Sequence, residues 1–166
     1  MTLKKLSFVL LALSVMATPA LAQELDLGVR SYGLRGGINM NPDQFNVGAH
    51  MDAGRLGSRV RLQPSVEVGF GNGVTLASAN FDAHYLFSAR GWRPYVGGGP
   101  GINFIDVSRG FGASQGLQIE PVVNAVAGVE WGTPKAGSGA VRRYLLEARL
   151  GMGKTPDFKI VVGISF

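Results

Sequence analysis

Apolar and polar residues alternate along most of this chain with a period of two. The pattern is clearest in RVRLQPSVEVGF, residues 59–70, where every even position is apolar and every odd position is Arg, Gln, Ser, Glu or Gly. Successive side chains of a β-strand point to opposite faces of a sheet. The alternation therefore predicts a strand with one apolar and one polar face.

Seven further segments carry related patterns, and turn-forming residues separate them. The eight predicted strands are Leu25–Met40, Phe45–Ala53, Arg59–Phe70, Thr75–Phe87, Tyr95–Val107, Leu117–Trp131, Arg143–Met152 and Phe158–Phe166. The first strand changes phase near Ser31, which indicates either a β-bulge or a misplaced strand boundary. No stretch shows the 3.6-residue period of a helix, so the fold class is all-β, an eight-stranded antiparallel up-and-down barrel.

Two arrangements of the faces are open. A soluble barrel buries its apolar face, whereas a transmembrane barrel turns that face to lipid and lines its interior with polar side chains. The uninterrupted apolar face and its aromatic residues near strand ends favour the transmembrane arrangement, because such barrels carry aromatic girdles at both membrane interfaces. These rim aromatics are Phe45, Phe70, Phe87, Trp131, Tyr144 and Phe158.

The first 22 residues, MTLKKLSFVLLALSVMATPALA, have the features of a secretory signal peptide. Lys4 and Lys5 precede a short apolar run, and Ala20-Leu21-Ala22 forms an A-x-A cleavage site. The alternative is a membrane anchor, for which the run is short. We therefore predict a signal peptide at 1–22 and a single barrel domain at 23–166. The 166-residue chain contains no cysteine, which excludes disulfides and thiolate metal sites.

The segments FDAHYLF, RPYVGGGPGINF, NAVAGVEW, YLLEARLGMG and KIVVGISF resemble the eight-stranded outer-membrane barrels of the OmpA/OmpX and opacity-protein type. The resemblance implies an outer-membrane location and both termini in the periplasm. It also implies that the last strand is a signal for the outer-membrane assembly machinery. That strand's residues are Phe158, Ile160, Val162, Ile164 and Phe166. The outer loops would be 39–44, 71–73, 108–116 and 153–157, all short, with a longer periplasmic connection at 132–142.

Eight strands enclose a space just wide enough for side chains. We therefore predict a polar network that plugs the lumen, with Glu147 and Arg149 sharing partners because they lie two apart on one face. Its inward residues are Arg61, Glu67, Asp82, His84, Glu120, Glu130, Glu147, Arg149 and Lys159.

Three short motifs resemble chemical sites but lack the context that the chemistry needs. GASQG, residues 112–116, matches a nucleophile elbow without the helix that must follow, and we expect a flexible loop there. GMGKT ends like a phosphate-binding loop, but Pro156 opposes the required helix. VGGGPG is expected to let neighbouring strands approach closely. His50 and His84, each two residues from an aspartate, are expected to belong to interior hydrogen-bond networks rather than to a metal or acid–base site.

The function predicted is a non-enzymatic outer-membrane barrel with a structural or surface-interaction role. We expect no catalytic or metal site, no cofactor, and a monomer whose partners are outer-membrane lipid and the assembly machinery. The formal net charge is +5, but the basic residues are interspersed along the chain, so we expect no basic patch and no nucleic-acid binding. The alternatives are a lipid-modifying enzyme similar to a lipid A deacylase, and a soluble periplasmic lipid-binding barrel.

Overall fold

The computed structural model of the chain describes residues 25–40, 43–71, 74–109, 113–134, 141–153 and 157–166. These residues form eight strands: β1 Leu25–Met40, β2 Asp43–Leu56, β3 Val60–Gly71, β4 Val74–Leu86, β5 Trp92–Arg109, β6 Ala113–Pro134, β7 Val141–Met152 and β8 Asp157–Ser165. The signal peptide predicted at 1–22 lies outside the described residues. None of the described residues forms a helix long and apolar enough to cross a membrane.

The strands form a closed barrel in which each strand pairs antiparallel with its neighbour in sequence, and β8 closes onto β1. Closure matters because it leaves no unpaired sheet edge. We call the end where β1 begins and β8 stops the terminal end; it also carries the turns at 57–59 and 87–91. The opposite end, where β1 stops and β8 begins, is called the distal end.

The register of β1 confirms the predicted irregularity near Ser31. The pairing of β1 with β2 shifts between Leu27 and Ser31, and regular pairing continues from there to Met40. Beyond the shift, Leu34 faces outward with 62% of its surface exposed, while Arg35 faces inward and is 4% exposed. The shift therefore decides which β1 side chains enter the barrel.

The apolar face of the sheet lies outside and the polar face inside. On β3, Val66 is 58% exposed and its neighbour Glu67 is 2% exposed, and the same contrast holds for Ala125 and Asn124 on β6. A soluble barrel would show the opposite contrast. This is the arrangement of a transmembrane β-barrel, and it rules out the soluble alternative.

The predicted rim aromatics lie near the two ends of the barrel. Phe45 pairs directly with Phe70 near the distal end, and Phe158 lies at the start of β8 on the same end. At the terminal end, Trp131 pairs with Tyr144. The distal band is built of phenylalanine, whereas the terminal band also contains tyrosine and tryptophan, whose polar atoms suit the interface between hydrocarbon and water.

All five predicted connections were drawn too long, because the strands extend into them; the one at 39–44, for example, contains two pairs of the β1–β2 ladder. Two of the connections change most. β5 continues to Arg109 and β6 starts at Ala113, so most of the predicted loop at 108–116 is a β-ladder in which Ser108 pairs with Ser114. The flexible loop expected at GASQG was therefore wrong, since 113–116 are strand. The connection drawn at 132–142 narrows to 135–140, because β6 and β7 both extend into it. Lys154 and Thr155 of GMGKT lie outside the described residues.

The glycines of VGGGPG lie within β5, and they confirm the predicted close approach. A Cβ atom at Gly97 would overlap the carbonyl oxygen of Ala83 on β4, and one at Gly98 would overlap that of Asn124 on β6. A side chain at either position would push a neighbouring strand away.

Candidate functional site in the barrel interior

The polar side chains predicted to face inward are all buried in the barrel. Glu120 is the most exposed of the nine at 8%, and Asp82 and His84 are fully buried. The remaining six are Arg61, Glu67, Glu130, Glu147, Arg149 and Lys159. An ion buried this deeply is costly unless it is paired, so its partners determine what the interior can do.

Arg149 on β7 connects two walls of the barrel. Its Nη2 atom donates to Asp82 Oδ2 on β4 at 2.8 Å and to Glu147 Oε1 at 3.1 Å. Because β4 and β7 are separated by two strands, the pair with Asp82 crosses the interior. Glu147 and Arg149 thus contact each other directly, in addition to having partners on other strands.

Arg35 on β1 is the centre of a second group. Its Nε lies 3.0 Å from Glu67 Oε1 on β3, and its Nη2 pairs with Glu147 Oε1 on β7. Lys159 extends this group, with Nζ 3.5 Å from Glu67 Oε2 and 3.3 Å from Asp157 Oδ2. Arg35 therefore connects strands on both sides of β1.

A third group lies nearer the terminal end. Arg61 Nη1 on β3 lies 2.6 Å from Glu130 Oε2 on β6, and the half-exposed Arg93 lies 3.2 Å from the other oxygen of Glu130. Tyr95 joins this group to the others. The guanidinium of Arg61 lies 5.4 Å from the centre of the Tyr95 ring, and the Tyr95 hydroxyl donates to Glu147 Oε2 at 2.9 Å.

The three groups together form the charged network of the barrel, in which cations and carboxylates are equal in number. The cations are Arg35, Arg61, Arg93, Arg149 and Lys159, and the carboxylates are Glu67, Asp82, Glu130, Glu147 and Asp157. Of the predicted set, Glu120 stands apart, since no described residue pairs with it. His84 joins through its ring, which stacks on Tyr95 with centroids 4.8 Å apart, and through Nδ1, 3.3 Å from Arg61 Nη2.

Sequence reasoning missed four members of the network. Arg35 lies beyond the phase change in β1, where the alternation did not show which side chains face inward. Tyr95 and Arg93 lie at the start of a glycine-rich strand, and Asp157 was assigned to a loop. The sequence does contain a signal for Tyr95. This residue lies two residues before Gly97 and four before Gly99, which places all three on the same face of β5.

Glycine makes two of the contacts across an intervening strand possible. Glu67 on β3 reaches Arg35 on β1 by passing over Gly48 of the intervening β2, where a Cβ would lie 2.8 Å from Glu67 Cγ. Tyr95 on β5 reaches Glu147 on β7 over Gly128 of β6, where a Cβ would lie 2.5 Å from the Tyr95 hydroxyl oxygen. In both cases the contact passes through the space that a side chain on the intervening strand would fill.

The same geometry brings together a serine and a histidine that are far apart in sequence. His50 on β2 passes over Gly33 of β1, and its Nε2 lies 2.8 Å from Ser165 Oγ on β8. His50 Nδ1 is buried and has no partner among the described residues. The pair thus lacks the carboxylate that orients a catalytic histidine, and it faces the interior rather than lipid.

The same described residues contain no group of three or more His, Asp or Glu side chains placed to hold a metal ion. Apolar side chains occupy further interior positions. These are Leu76, Leu86, Val122, Val126, Leu145 and Val161. Chemically, the arrangement ties opposite walls of the barrel together by charge pairs.

Two solved structures share this architecture. The crystal structure of the N-terminal β-barrel domain of Pseudomonas aeruginosa OprF matches with a TM-score of 0.58 and 19% identity, over 84% of this chain and 98% of that chain. Neisserial surface protein A (NspA) matches with a TM-score of 0.62 and 14% identity, over 81% of this chain and 93% of that chain. The chain has the outer-membrane β-barrel fold. No family model matches the chain, and no curated protein matches its sequence.

Identities this low establish the fold of this outer-membrane barrel and nothing finer. They agree with the resemblance to eight-stranded outer-membrane barrels that its sequence indicates. What the interior does must be argued from its own residues.

We predict that Gly128→Ala destabilises the barrel by about 1–3 kcal/mol, because the added methyl group overlaps the Tyr95 hydroxyl and breaks its bond to Glu147. Reversible urea unfolding in lipid vesicles measures the change. Gly28→Ala is the matched control, since nothing lies within 4 Å of a Cβ there. Equal effects at the two positions would contradict the role given to Gly128.

We predict that Arg149→Ala costs about 3–5 kcal/mol, because it leaves Asp82 buried without its cation. Arg30→Ala should cost about 1 kcal/mol or less, because the Arg30–Asp26 pair is exposed to solvent. The same unfolding measurement compares the two. A loss at Arg149 no larger than at Arg30 would show that the interior is well hydrated and the pair dispensable.

Proposed function

We propose that the protein is a non-enzymatic outer-membrane β-barrel whose interior is closed to ion flow by its charged network. The observation that carries this proposal is a set of three charge pairs that cross the interior. They are Arg149–Asp82, Arg61–Glu130 and Lys159–Glu67, and each joins strands separated by two others. A chain of such pairs occupies the cross-section that an aqueous pore would need.

The role we propose is structural or one of contact at the cell surface, with both termini in the periplasm and the chain acting as a monomer. The fold shared with the OprF domain and with a Neisserial surface protein supports the outer-membrane location. The short distal connections favour a compact barrel over one that presents long adhesive loops.

The lipid-modifying alternative draws some support from the Ser165–His50 contact, but the remaining geometry is unfavourable to it. A lipid-modifying barrel needs its nucleophile and its histidine together on the lipid face, whereas His50 is 5% exposed and lies inside. The contact also joins β2 to β8 across β1, which gives it a structural role at the closure of the barrel.

Electrical recording tests the closed interior. Purified protein in a planar bilayer should give no large, steady conductance, because side chains fill the interior of an eight-stranded barrel. Loss of a crossing pair in Arg149→Ala should permit brief openings, and the exposed Arg30→Ala should not. A steady, porin-like conductance of the unmutated protein would contradict the proposal.

We further propose that the outward face of β8 carries the signal read by the assembly machinery. Its residues are Phe158, Ile160, Val162, Ile164 and Phe166. Phe166 is half exposed on the outer surface, its ring lies 6.3 Å from that of Tyr32, and its amide donates to the Tyr32 carbonyl at 2.8 Å. The ring thus contributes little to the interior of the folded barrel and is open to recognition.

We predict that Phe166→Ala lowers the amount of assembled protein in cells while refolding from urea in vitro remains efficient. Phe87→Ala, an exposed phenylalanine at the same end of the barrel, is the control and should assemble normally. Heat-modifiable gel migration of outer-membrane fractions measures assembly. Normal assembly of Phe166→Ala, or an equal loss in both variants, would count against the signal.

A further inference from the structure

A cleft of about 330 Å³ opens at the terminal end, between the start of β5 and the paired ends of β6 and β7. Trp92 and Trp131 line it; they are paired across β5 and β6, and 54% and 41% of their surfaces are exposed. Arg93, Glu130 and Arg143 line it as well. The cleft thus combines two large aromatic rings with two cations at the rim of the barrel.

The charges of the cleft are not balanced. Glu130 is its single carboxylate, and that group already pairs with the interior Arg61 at 2.6 Å as well as with Arg93 at 3.2 Å. No described residue pairs with Arg143. A site with this surplus of guanidinium groups favours an anionic ligand, and guanidinium groups match the oxygen geometry of a phosphate.

The surroundings reinforce this preference. Although the basic residues are interspersed in the sequence, the fold collects many of them at the terminal end. Besides Arg93 and Arg143, these are Arg30, Arg55, Arg59, Arg90 and Arg142, against the carboxylates of Asp26, Asp52 and Glu130. The prediction from the sequence that the basic residues form no patch was therefore wrong for the terminal end. The resulting field attracts anions to this end.

The tryptophans decide which anion fits. Tryptophan favours the level of lipid headgroups, where its ring contacts hydrocarbon and its N–H contacts water. Trp131 also stacks with Tyr144, with centroids 6.1 Å apart, which widens the aromatic surface. A ligand seated here would place its charge against the arginines and its apolar part against the rings.

We propose that this cleft binds the phosphate of an anionic glycerophospholipid. Arg93 and Arg143 hold the phosphate oxygens, and Trp92 and Trp131 pack against the glycerol and the upper acyl chains. The proposal rests on the proposed membrane location, because only a barrel inserted in a bilayer holds the cleft at headgroup level.

The test uses the intrinsic fluorescence of the chain, because Trp92 and Trp131 are its only two tryptophans. The protein is refolded into phosphatidylcholine vesicles that contain a fixed minor fraction of either brominated phosphatidylglycerol or brominated phosphatidylcholine. Bromine quenches tryptophan at short range, so quenching reports which lipid occupies the cleft. We expect the brominated phosphatidylglycerol to be enriched at the cleft on the order of fivefold for each arginine that contacts it.

Variants distinguish the cleft from the general charge of the terminal end. The double variant Arg93→Gln with Arg143→Gln should abolish the enrichment, and Arg143→Lys should retain most of it. Arg59→Gln removes the same charge from the β2–β3 turn at the same end and should leave the enrichment unchanged. If the double variant does not fold, Arg143→Gln alone tests the same point, because it removes no ion pair from the described part of the chain.

Equal quenching by the two brominated lipids would overturn the proposal. An equal loss of enrichment in Arg59→Gln and Arg143→Gln would also overturn it, since the attraction would then be diffuse. If neither brominated lipid quenches the tryptophans and heat-modifiable migration shows a folded barrel, the membrane location itself fails. That outcome is distinguishable from the failure of the cleft alone.

Discussion

The structure depends on one constraint, which is the narrow interior of an eight-stranded barrel. Every inward position faces other inward positions at short range, so a long side chain fits only where a neighbouring strand leaves space for it. Glycine on the intervening strand provides that space. Gly48 lies under Glu67, and Gly128 lies under Tyr95. These two glycines therefore shape how the interior is packed, and each selects the pair of strands that a long side chain can join.

The same constraint explains the balance of charge. In so small a space a buried cation without a partner would be costly, and water can compensate only part of that cost. The charged network meets the requirement with equal numbers of cations and carboxylates. Glu147 is shared by Arg35, Arg149 and the Tyr95 hydroxyl. Because the partners lie on different strands, a register slip of one residue would turn charged groups toward lipid, and the network thereby favours a single register.

Most of the fold could be predicted from the sequence, because alternation with a period of two is a local signal. The inward position of Glu67 or Arg149 needs only its place in an alternating strand. What could not be predicted depends on register between strands. Arg35 was missed because the shift between Leu27 and Ser31 separates it from the start of its strand. The contact of His50 with Ser165 depends on Gly33 lying between them across two ladders, which no pattern along one strand reveals. Loop bounds failed for another reason, since small residues such as Ala113 and Ser114 continue a hairpin ladder beyond the apolar alternation.

Register also explains why the charges divide between the interior and one end. Inward arginines in the middle of strands, such as Arg149, find carboxylates at their own level and are neutralised there. Arg93 and Arg143 lie at strand ends, where the interior opens and Glu130 is the one carboxylate within the rim cleft. Antiparallel order brings the ends of β5, β6 and β7 together although they are distant in sequence. A chain with interspersed charges can therefore form a barrel that pairs arginines with carboxylates in its interior and carries further arginines at one rim.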